Sequence, residues 1–120
     1  MLSSKPNVYA KMCPSREVLA IIGEKWTSLI IGALAGKTLR FGELMRCCEG
    51  VSQKMLTQTL RHLERDGLVL RKVYADELPL KVEYSLTALG DSLVPIVQQA
   101  KEWAEHNLLV ILANRQAAES

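Results

Sequence analysis

The segment VSQKMLTQTLRHLERD, residues 51–66, has the pattern of an amphipathic helix with two different faces. At about 100° per residue, its apolar side chains fall within an arc of about 60°: Leu56, Leu60 and Leu63. Basic, amide and hydroxyl side chains occupy about 100° of the opposite side, with no acidic residue among them: Lys54, Thr57, Gln58, Arg61 and Arg65. Ser52 is a favourable N-cap residue, and Gly67 follows where a helix commonly ends.

The polar side of this segment is typical of a DNA-binding surface, because basic and amide side chains pair with base edges and phosphates. An ordinary surface helix accounts for the apolar side but not for a purely basic stripe opposite it. We therefore interpret residues 51–66 as a recognition helix. For each of its polar side chains, the alternative is an ordinary surface residue that contacts only solvent. The candidates for reading bases are Gln53, Lys54, Thr57, Gln58 and Arg61. The candidates for contacting phosphates, here and in flanking segments, are Arg40, Ser52, Arg65, Arg71, Lys72 and Lys81.

Three shorter helices are predicted before the recognition helix, each from apolar residues at helical spacing. The first begins after Cys13-Pro14 and ends near Gly23, the second covers 24–35 and the third 41–48. Their predicted core residues are Val18, Ile21 and Ile22, then Trp26, Leu29, Ile30, Ala33 and Leu34, then Phe41, Leu44, Met45 and Cys48. The third helix and the recognition helix, joined by a short glycine-containing turn, form a predicted helix-turn-helix.

After the recognition helix the apolar period changes from about 3.6 to about 2, which predicts a β-hairpin. Residues 68–74 and 80–86 form its strands, linked by the loop 75–79, and residues 38–40 form a further short strand. The residues expected to face inward are Val82, Tyr84 and Leu86, and those expected to face solvent are Arg71, Lys72 and Lys81. A hairpin directly after a helix-turn-helix is a wing.

The last predicted helix is capped by Thr87, runs to about Ala113 and carries an apolar stripe too long for one small domain to cover. At about 1.5 Å per residue it spans about 40 Å, and a second copy related by two-fold symmetry is its simplest cover. The residues assigned to this dimer surface are Leu93, Val97, Ala100, Trp103, Ala104, Leu108 and Ile111. Pro95 is expected to kink the helix rather than end it.

The predicted fold class is therefore mainly α with a small β-hairpin, a winged helix-turn-helix with a long C-terminal dimerisation helix. Residues 1–12 are expected to form a flexible N-terminal arm, residues 13–86 the winged helix-turn-helix DNA-binding domain, and residues 87–120 the dimerisation helix and tail. A chain of 120 residues, 48% of them hydrophobic and 23% charged, has the size and composition of one globular domain.

The distribution of charge agrees with a centre that binds nucleic acid. Although the net charge is only +2, residues 36–81 contain nine basic and six acidic side chains, whereas residues 82–120 contain two and five. The N-terminal residues MLSSKPNVYAK lack the apolar core of a signal peptide, and no apolar run approaches the roughly 18 residues of a membrane span. Three cysteines suggest a reducing compartment. We therefore expect a cytoplasmic protein with no membrane contact.

A series of short motifs runs in order from about Cys13 to Trp103 without gaps. They are Cys13-Pro14, Gly23-x-Lys25-Trp26, Arg40-Phe41-x-Glu43-Leu44, Ser52-x-x-Met55-Leu56, Leu60-x-x-Leu63-x-x-x-Gly67-Leu68, Tyr74 and Pro79-x-x-Val82-Glu83-Tyr84-x-Leu86-Thr87-x-x-Gly90. With these motifs the sequence resembles the HxlR-type family of bacterial transcriptional regulators, relatives of the MarR-like winged-helix proteins. The resemblance implies a homodimer that binds a short inverted-repeat operator near promoters. Each recognition helix would enter a major groove, and each wing would touch the flanking backbone or minor groove.

In several members of that family the cysteine that matches Cys13 senses oxidants or electrophiles such as quinones and aldehydes, so Cys13 is a candidate switch. A helix N-terminus favours the reactive thiolate, and the cations Lys11 and Arg16 lie nearby in the sequence. The alternative is a small apolar residue packed beneath the dimer helices. Cys47 and Cys48 of a second copy are candidate disulfide partners, although Cys48 lies on the apolar side of its helix and is expected to fill the core.

We do not expect an enzyme. The candidate bases for Cys13, His62 and His106, lie on polar faces of other helices, and a P-loop, paired carboxylates and zinc-ligand spacings are absent from the sequence. No metal or cofactor is expected, and the predicted partners are operator DNA, a second copy of the chain and a small oxidant or electrophile. Two alternatives stay open: a winged-helix protein–protein interaction module without DNA binding, and a small-ligand-sensing regulator without a thiol switch.

Overall fold

The computed structural model describes residues 5–120, which form five helices and one antiparallel hairpin. In chain order the elements are α1 (Ser15–Gly23), α2 (Lys25–Leu34), α3 (Phe41–Cys47), α4 (Gln53–Arg65), β1 (Val69–Tyr74), β2 (Lys81–Leu86) and α5 (Ala88–Glu119). This order confirms the predicted winged helix-turn-helix, mainly α with a small β-hairpin and a long C-terminal helix. Residues 1–4 of the predicted N-terminal arm lie outside the described residues.

Helix α4 buries its apolar face in the core, as predicted. Three leucines on that face are each at most 2% exposed: Leu56, Leu60 and Leu63. The N-cap is Ser52, whose hydroxyl accepts a 3.0 Å hydrogen bond from the Met55 amide. Gly67 ends the helix with φ at +78°, a left-handed conformation that favours glycine. The opposite, polar face of α4 is therefore directed to solvent.

Helix α2 lies at the centre of the domain, where it packs against α1, α3, α4, α5 and β2. Because it is surrounded on several sides, its buried face is wider than predicted and is rotated towards Thr27 and Ile31. Leu29, which we assigned to the core, lies on the outer side and is 45% exposed. The predicted core residues of α3 are confirmed, with Leu44 and Cys48 buried and Phe41 and Met45 packed partly buried against them.

Helix α1 packs against α2 but buries none of its own residues within the chain. Ile21 is partly buried against the core, as predicted. The prediction is wrong for Val18, which is 60% exposed, and the adjacent Leu19 is 50% exposed. Helix α1 lies on the outside of the domain and packs mainly against α2, so its remaining apolar side chains are available to another molecule.

The wing is a two-stranded antiparallel hairpin formed by β1 and β2. Leu39, in the predicted short strand, joins it through two backbone hydrogen bonds with Tyr84 of 2.9 and 2.8 Å. Tyr84 is buried, and Val82 and Leu86 pack against the core, so the predicted inward face is confirmed. These contacts fix one side of the hairpin against the helical domain and leave the other side outward.

Helix α5 has 32 residues and continues through Pro95, past the predicted end near Ala113. At about 1.5 Å per residue it is about 48 Å long, and the rest of the chain covers mainly its first third. Val97 is 5% exposed and belongs to the core of one chain rather than to the dimer surface, whereas Leu93 is half-buried against that core and keeps some exposed surface. Within residues 5–120, no helix is both long and apolar enough to cross a membrane.

Candidate nucleic-acid interface

The outer face of α4 presents the predicted base-reading side chains to solvent. Four of them are exposed: Gln53, Lys54, Gln58 and Arg61. The fifth, Thr57, is half-buried. The turn between α3 and α4 contains Gly50 with φ at +93°, a left-handed conformation that glycine adopts without strain. The polar stripe therefore lies on the second helix of a helix-turn-helix, which is the helix that reads DNA in that motif.

A groove of about 540 Å³ lies between this face of α4 and the wing. Its α4 wall contains Gln53, Thr57 and Arg61, and its wing wall contains Arg71 of β1. The structure therefore brings three of the base-reading candidates together with one of the phosphate candidates. Side chains from two elements that converge in this way can contact a base edge and its flanking phosphate at the same time.

Glu64 lines the same groove as Arg61 and Arg71, so the surface is less uniformly basic than predicted. The sequence analysis missed it, although Glu64 follows Thr57 by seven residues and therefore lies on the same side of the helix. A carboxylate in this position repels phosphates but can accept a hydrogen bond from the N4 amino group of cytosine. Glu64 is therefore a further candidate for reading bases.

A second, shallower surface continues along α4 towards its C-terminus. It is formed by Gln53, Lys54, Thr57, Gln58, Arg61, His62 and Arg65. His62 was not among the predicted contacts, although the spacing of four residues from Gln58 places the two side chains next to each other. Arg65 Nε lies 3.3 Å from Asp66 Oδ1, but the arginine side chain remains 70% exposed. Because an ion pair this exposed is weak, it does not hold the arginine firmly.

Two phosphate candidates have roles at helix starts. Arg40 is exposed at the N-terminus of α3, where its backbone amide donates a 2.9 Å hydrogen bond to the Glu43 carboxylate. Ser52 is also exposed, and its oxygen accepts the bond that caps α4. Their side chains therefore lie at the N-terminal ends of the two helices of the motif, where free amides and the helix dipole favour an anion such as phosphate.

The wing lysines differ from each other. Lys72 of β1 is exposed, as predicted. Lys81 of β2, which we expected to face solvent, has a side chain only 26% exposed, with its ammonium 3.9 Å from the Glu83 carboxylate. The same ammonium lies 4.8 Å from the centre of the Tyr74 ring. Lys81 therefore lies on the outward face of the hairpin, as predicted, but a carboxylate and an aromatic ring on the same face cover part of its side chain.

Cys13 is enclosed by a turn of the chain that precedes it. Its sulfur is within hydrogen-bonding distance of the Ser15 hydroxyl (3.0 Å) and the Asn7 amide (3.3 Å), and the residue is 9% exposed. These bonds, Ser15 first and Asn7 second, lower the pKa of the Cys13 thiol, because both stabilise the thiolate. The Arg16 guanidinium donates to the Val8 and Tyr9 carbonyls (3.1 and 2.9 Å) and holds the turn in place.

The other two cysteines have opposite environments. Cys47 is exposed at the end of α3, whereas Cys48 is 2% exposed in the core, which confirms the prediction that it fills the interior. Burial raises the pKa of the Cys48 thiol, and the neighbouring Cys47 adds to that rise. Within one chain all three thiols are free.

Beyond Val97, helix α5 exposes a large apolar surface. Trp103 is 62% exposed and Leu108 is 50% exposed, and the three other predicted dimer residues in this half are exposed or partly exposed: Ala100, Ala104 and Ile111. Two residues outside the predicted stripe are also exposed, Leu109 at 79% and Val110 at 61%. The signal that identifies them is the run LLVIL at 108–112, because five consecutive apolar residues cover all sides of a helix.

Comparison with known proteins places the chain in a family. The profile of the HxlR-like helix-turn-helix family matches residues 21–111. The chain belongs to the HxlR-like helix-turn-helix family. This confirms the resemblance seen in the sequence and makes the chain a helix-turn-helix transcriptional regulator. A relative of nearly the same length, the uncharacterized HTH-type transcriptional regulator YybR of Bacillus subtilis, is 44% identical over 116 residues, which cover 95% of this chain and 92% of YybR.

Solved structures of transcriptional and redox regulators agree with the fold described above. The putative transcriptional regulator ytfH from Salmonella typhimurium superposes with a TM-score of 0.84 at 45% identity, covering 93% of this chain and 99% of that one. The redox regulator HypR in its oxidised form superposes with a TM-score of 0.72 at 47% identity, covering 79% and 97%. Its reduced form gives a TM-score of 0.75 at 45% identity, covering 83% and 98%.

Proposed function

We propose that this regulator binds duplex DNA as a homodimer, with α4 of each copy in a major groove of an inverted-repeat operator. The observation that carries the proposal is the division of α4 into two faces. Leu56, Leu60 and Leu63 fix the helix in the core, and this leaves Lys54, Gln58 and Arg61 exposed on the opposite side. Such side chains make bidentate contacts with base edges and charged contacts with phosphates.

The second copy is proposed from the exposed apolar surface of α5. Monomeric proteins rarely expose a contiguous apolar patch of this kind, and Trp103, Leu109 and Val110 are all more than 60% exposed. A partner related by two-fold symmetry would cover the same surface on both copies. Two-fold symmetry of the protein in turn requires two half-sites in opposite orientation, which is why an inverted repeat is proposed.

Fluorescence anisotropy with labelled duplex from upstream of the chain's own gene tests DNA binding. We expect Arg61→Ala to weaken binding by tenfold or more, since a bidentate arginine contact supplies about 1–3 kcal/mol of discrimination. The matched control is Arg115→Ala, an exposed arginine near the end of α5. The logarithm of the affinity should fall linearly with the logarithm of salt concentration. Equal effects of the two variants, or an affinity independent of salt, would contradict the proposal and favour a protein-interaction module.

We also propose that oxidation or electrophile modification of Cys13 regulates this binding. Three observations support the proposal: the lowered pKa of the thiol, the turn that folds over it, and the likeness to HypR, which is a redox regulator. In the oxidised state two thiols, Cys13 and either Cys47 or Cys48 of the partner subunit, would lose two protons and two electrons to the oxidant and form a disulfide.

Non-reducing gels after treatment with diamide test this step. A covalent dimer is expected in the wild type, and it should be lost in Cys13→Ser and in one of the two variants Cys47→Ser and Cys48→Ser. Absence of the dimer band in the wild type, or a band that persists in Cys13→Ser, would refute the disulfide. Diamide-treated protein should also show altered affinity for the operator, and Cys13→Ser should not.

A further inference from the structure

The outward face of the wing carries two cross-strand pairs. In one of them, Lys72 and Glu83, the ion pair that the strand register favours does not form. Lys72 lies directly opposite Glu83, and Tyr74 lies directly opposite Lys81. Opposed residues in antiparallel strands project from the same face of the hairpin, with Cβ atoms about 4.5–5.5 Å apart. By register alone, Glu83 is therefore placed to form an ion pair with Lys72.

Glu83 instead binds the other pair. The Tyr74 hydroxyl donates a 2.6 Å hydrogen bond to Glu83 Oε1, and Lys81 Nζ lies 3.9 Å from Glu83 Oε2. Both carboxylate oxygens of Glu83 therefore have a partner other than Lys72. In the part of the chain that the structure describes, residues 5–120, Lys72 has no carboxylate within ion-pairing distance, and its ammonium lies 4.9 Å from the centre of the Tyr74 ring.

The rest of the hairpin offers no other cation on this face. The loop 75–80, which forms the tip of the wing, contains Asp76 and Glu77 and no basic residue. Two carboxylates disfavour close approach of the tip to phosphates. Arg71 projects from the opposite side of β1, where it lines the groove beside α4. The free positive charge on the outward face is therefore that of Lys72.

We propose that Tyr74 is a positioning residue of the DNA interface: its hydroxyl holds Glu83 away from Lys72, and this leaves the Lys72 ammonium free to contact a phosphate. The inference rests on the proposed DNA binding of this chain. Without the hydroxyl, Glu83 pairs with its cross-strand neighbour and cancels the charge that the wing contributes. The ring of Tyr74 additionally supports the Lys72 ammonium through a cation–π contact.

The test compares the salt dependence of operator binding in a set of conservative variants. Tyr74→Phe removes the hydroxyl and keeps the ring. We expect it to lower the affinity and reduce the slope of log affinity against log salt by about 1.8, the value of two phosphate contacts, one from each copy of the dimer. Lys72→Gln should reduce the slope by the same amount. The double variant Tyr74→Phe with Glu83→Gln should regain at least the wild-type slope, because no carboxylate then remains to pair with Lys72 and Lys81 loses its own carboxylate partner as well.

Tyr9→Phe is the matched control, since Tyr9 is 88% exposed and belongs to the N-terminal turn. Tyr9→Phe should leave the slope unchanged. The circular dichroism spectrum should match the wild type in every variant, which shows that the fold is intact. If the wild type binds with a salt-dependent affinity but Tyr74→Phe keeps its full slope, or the double variant does not recover it, this inference alone is overturned. If the wild type shows no affinity for any duplex, the proposed function is overturned and this inference with it.

Discussion

The hydroxyl of Thr87 donates a 2.6 Å hydrogen bond to the backbone carbonyl of Gly67, twenty positions earlier in the chain. The same oxygen accepts a bond from the Gly90 amide (3.1 Å), and the Thr87 amide donates to the Leu68 carbonyl (3.1 Å). The first turn of α5 is therefore attached to the residues that directly follow α4. A change in the position of α5 would therefore move α4 with it, and in the proposed dimer the affinity for two spaced half-sites depends on the position of α4.

The first prediction concerns the close packing at this junction. A Cβ atom at Gly90 would overlap the Leu68 carbonyl oxygen and lie 3.2 Å from a methyl group of Leu86. We expect Gly90→Ala to lower the free energy of unfolding by about 1–3 kcal/mol, the usual cost of overpacking, as measured by urea denaturation. The control is Gly32→Ala in α2, where a Cβ would meet only a Val97 methyl at 4.0 Å. Equal stability of the two variants would contradict the prediction.

The second prediction separates two roles of Ser52. Ser52→Ala removes the acceptor that caps α4 and should cost about 1 kcal/mol of stability. Ser52→Asp keeps an acceptor and adds a negative charge that the helix N-terminus favours, so its stability should match the wild type. Its DNA affinity should fall nonetheless, and most strongly at low salt, because the carboxylate repels phosphates. The prediction fails if Ser52→Asp is as unstable as Ser52→Ala or binds DNA as well as the wild type.

The third prediction concerns the reactivity of Cys13. The Ser15 hydroxyl is the largest cause of the lowered pKa of this thiol, so Ser15→Ala should raise that pKa towards the ordinary value. The midpoint of the rate of iodoacetamide alkylation against pH should then move to higher pH, with slower reaction at neutral pH and convergence at alkaline pH. Mass spectrometry of the alkylated peptides measures the rate at each cysteine separately, so the other two cysteines stay in place. The exposed Cys47 serves as the internal control, and a midpoint for Cys13 that does not move would contradict the assignment.

Helical periodicity was sufficient to predict α4, because a helix with one buried face has one way to pack Leu56, Leu60 and Leu63. It was not sufficient for α2, which packs on several sides, and there it placed Leu29 in the core instead of Ile31. A stripe on α5 was likewise visible in the sequence. Whether Val97 faces the chain's own core or a second copy depends on where α5 crosses the domain. Apolar periodicity does not specify that position.

At the candidate interface, too, the sequence predicts the residues on one helix better than the contacts between elements. The residues of the α4 surface follow from helical spacing and were predicted almost completely. The contacts of Tyr74 and Lys81 depend on the register of the hairpin, and strand patterns separated by a five-residue loop did not specify which residues lie opposite each other. The sequence singles out Cys13 as a candidate switch, which stays a prediction. The pKa of its thiol is lowered by neutral hydrogen bonds from Ser15 and Asn7 rather than by nearby cations, because the preceding turn folds back onto the sulfur.

The last prediction concerns how a second copy covers α5. Leu108 lies on the predicted stripe, whereas Leu109 projects about 100° further round the helix and is 79% exposed. If the partner packed against the stripe alone, Leu109→Glu would leave the dimer intact. Because the run 108–112 is apolar on every side, we expect the partner to enclose the helix there, so that Leu108→Glu and Leu109→Glu both bury a carboxylate without a partner. Sedimentation equilibrium should then show monomers for both variants.

Gln98→Glu is the control for this experiment, since it adds the same charge at an exposed polar position of α5 and should remain dimeric. Loss of the dimer in Leu108→Glu with a normal dimer in Leu109→Glu would show that the partner covers one face only. Dimers in both variants would place the interface elsewhere. The exposed apolar side chains of α1, Val18 and Leu19, would then be the next surface to alter, because a single chain leaves them 60% and 50% exposed.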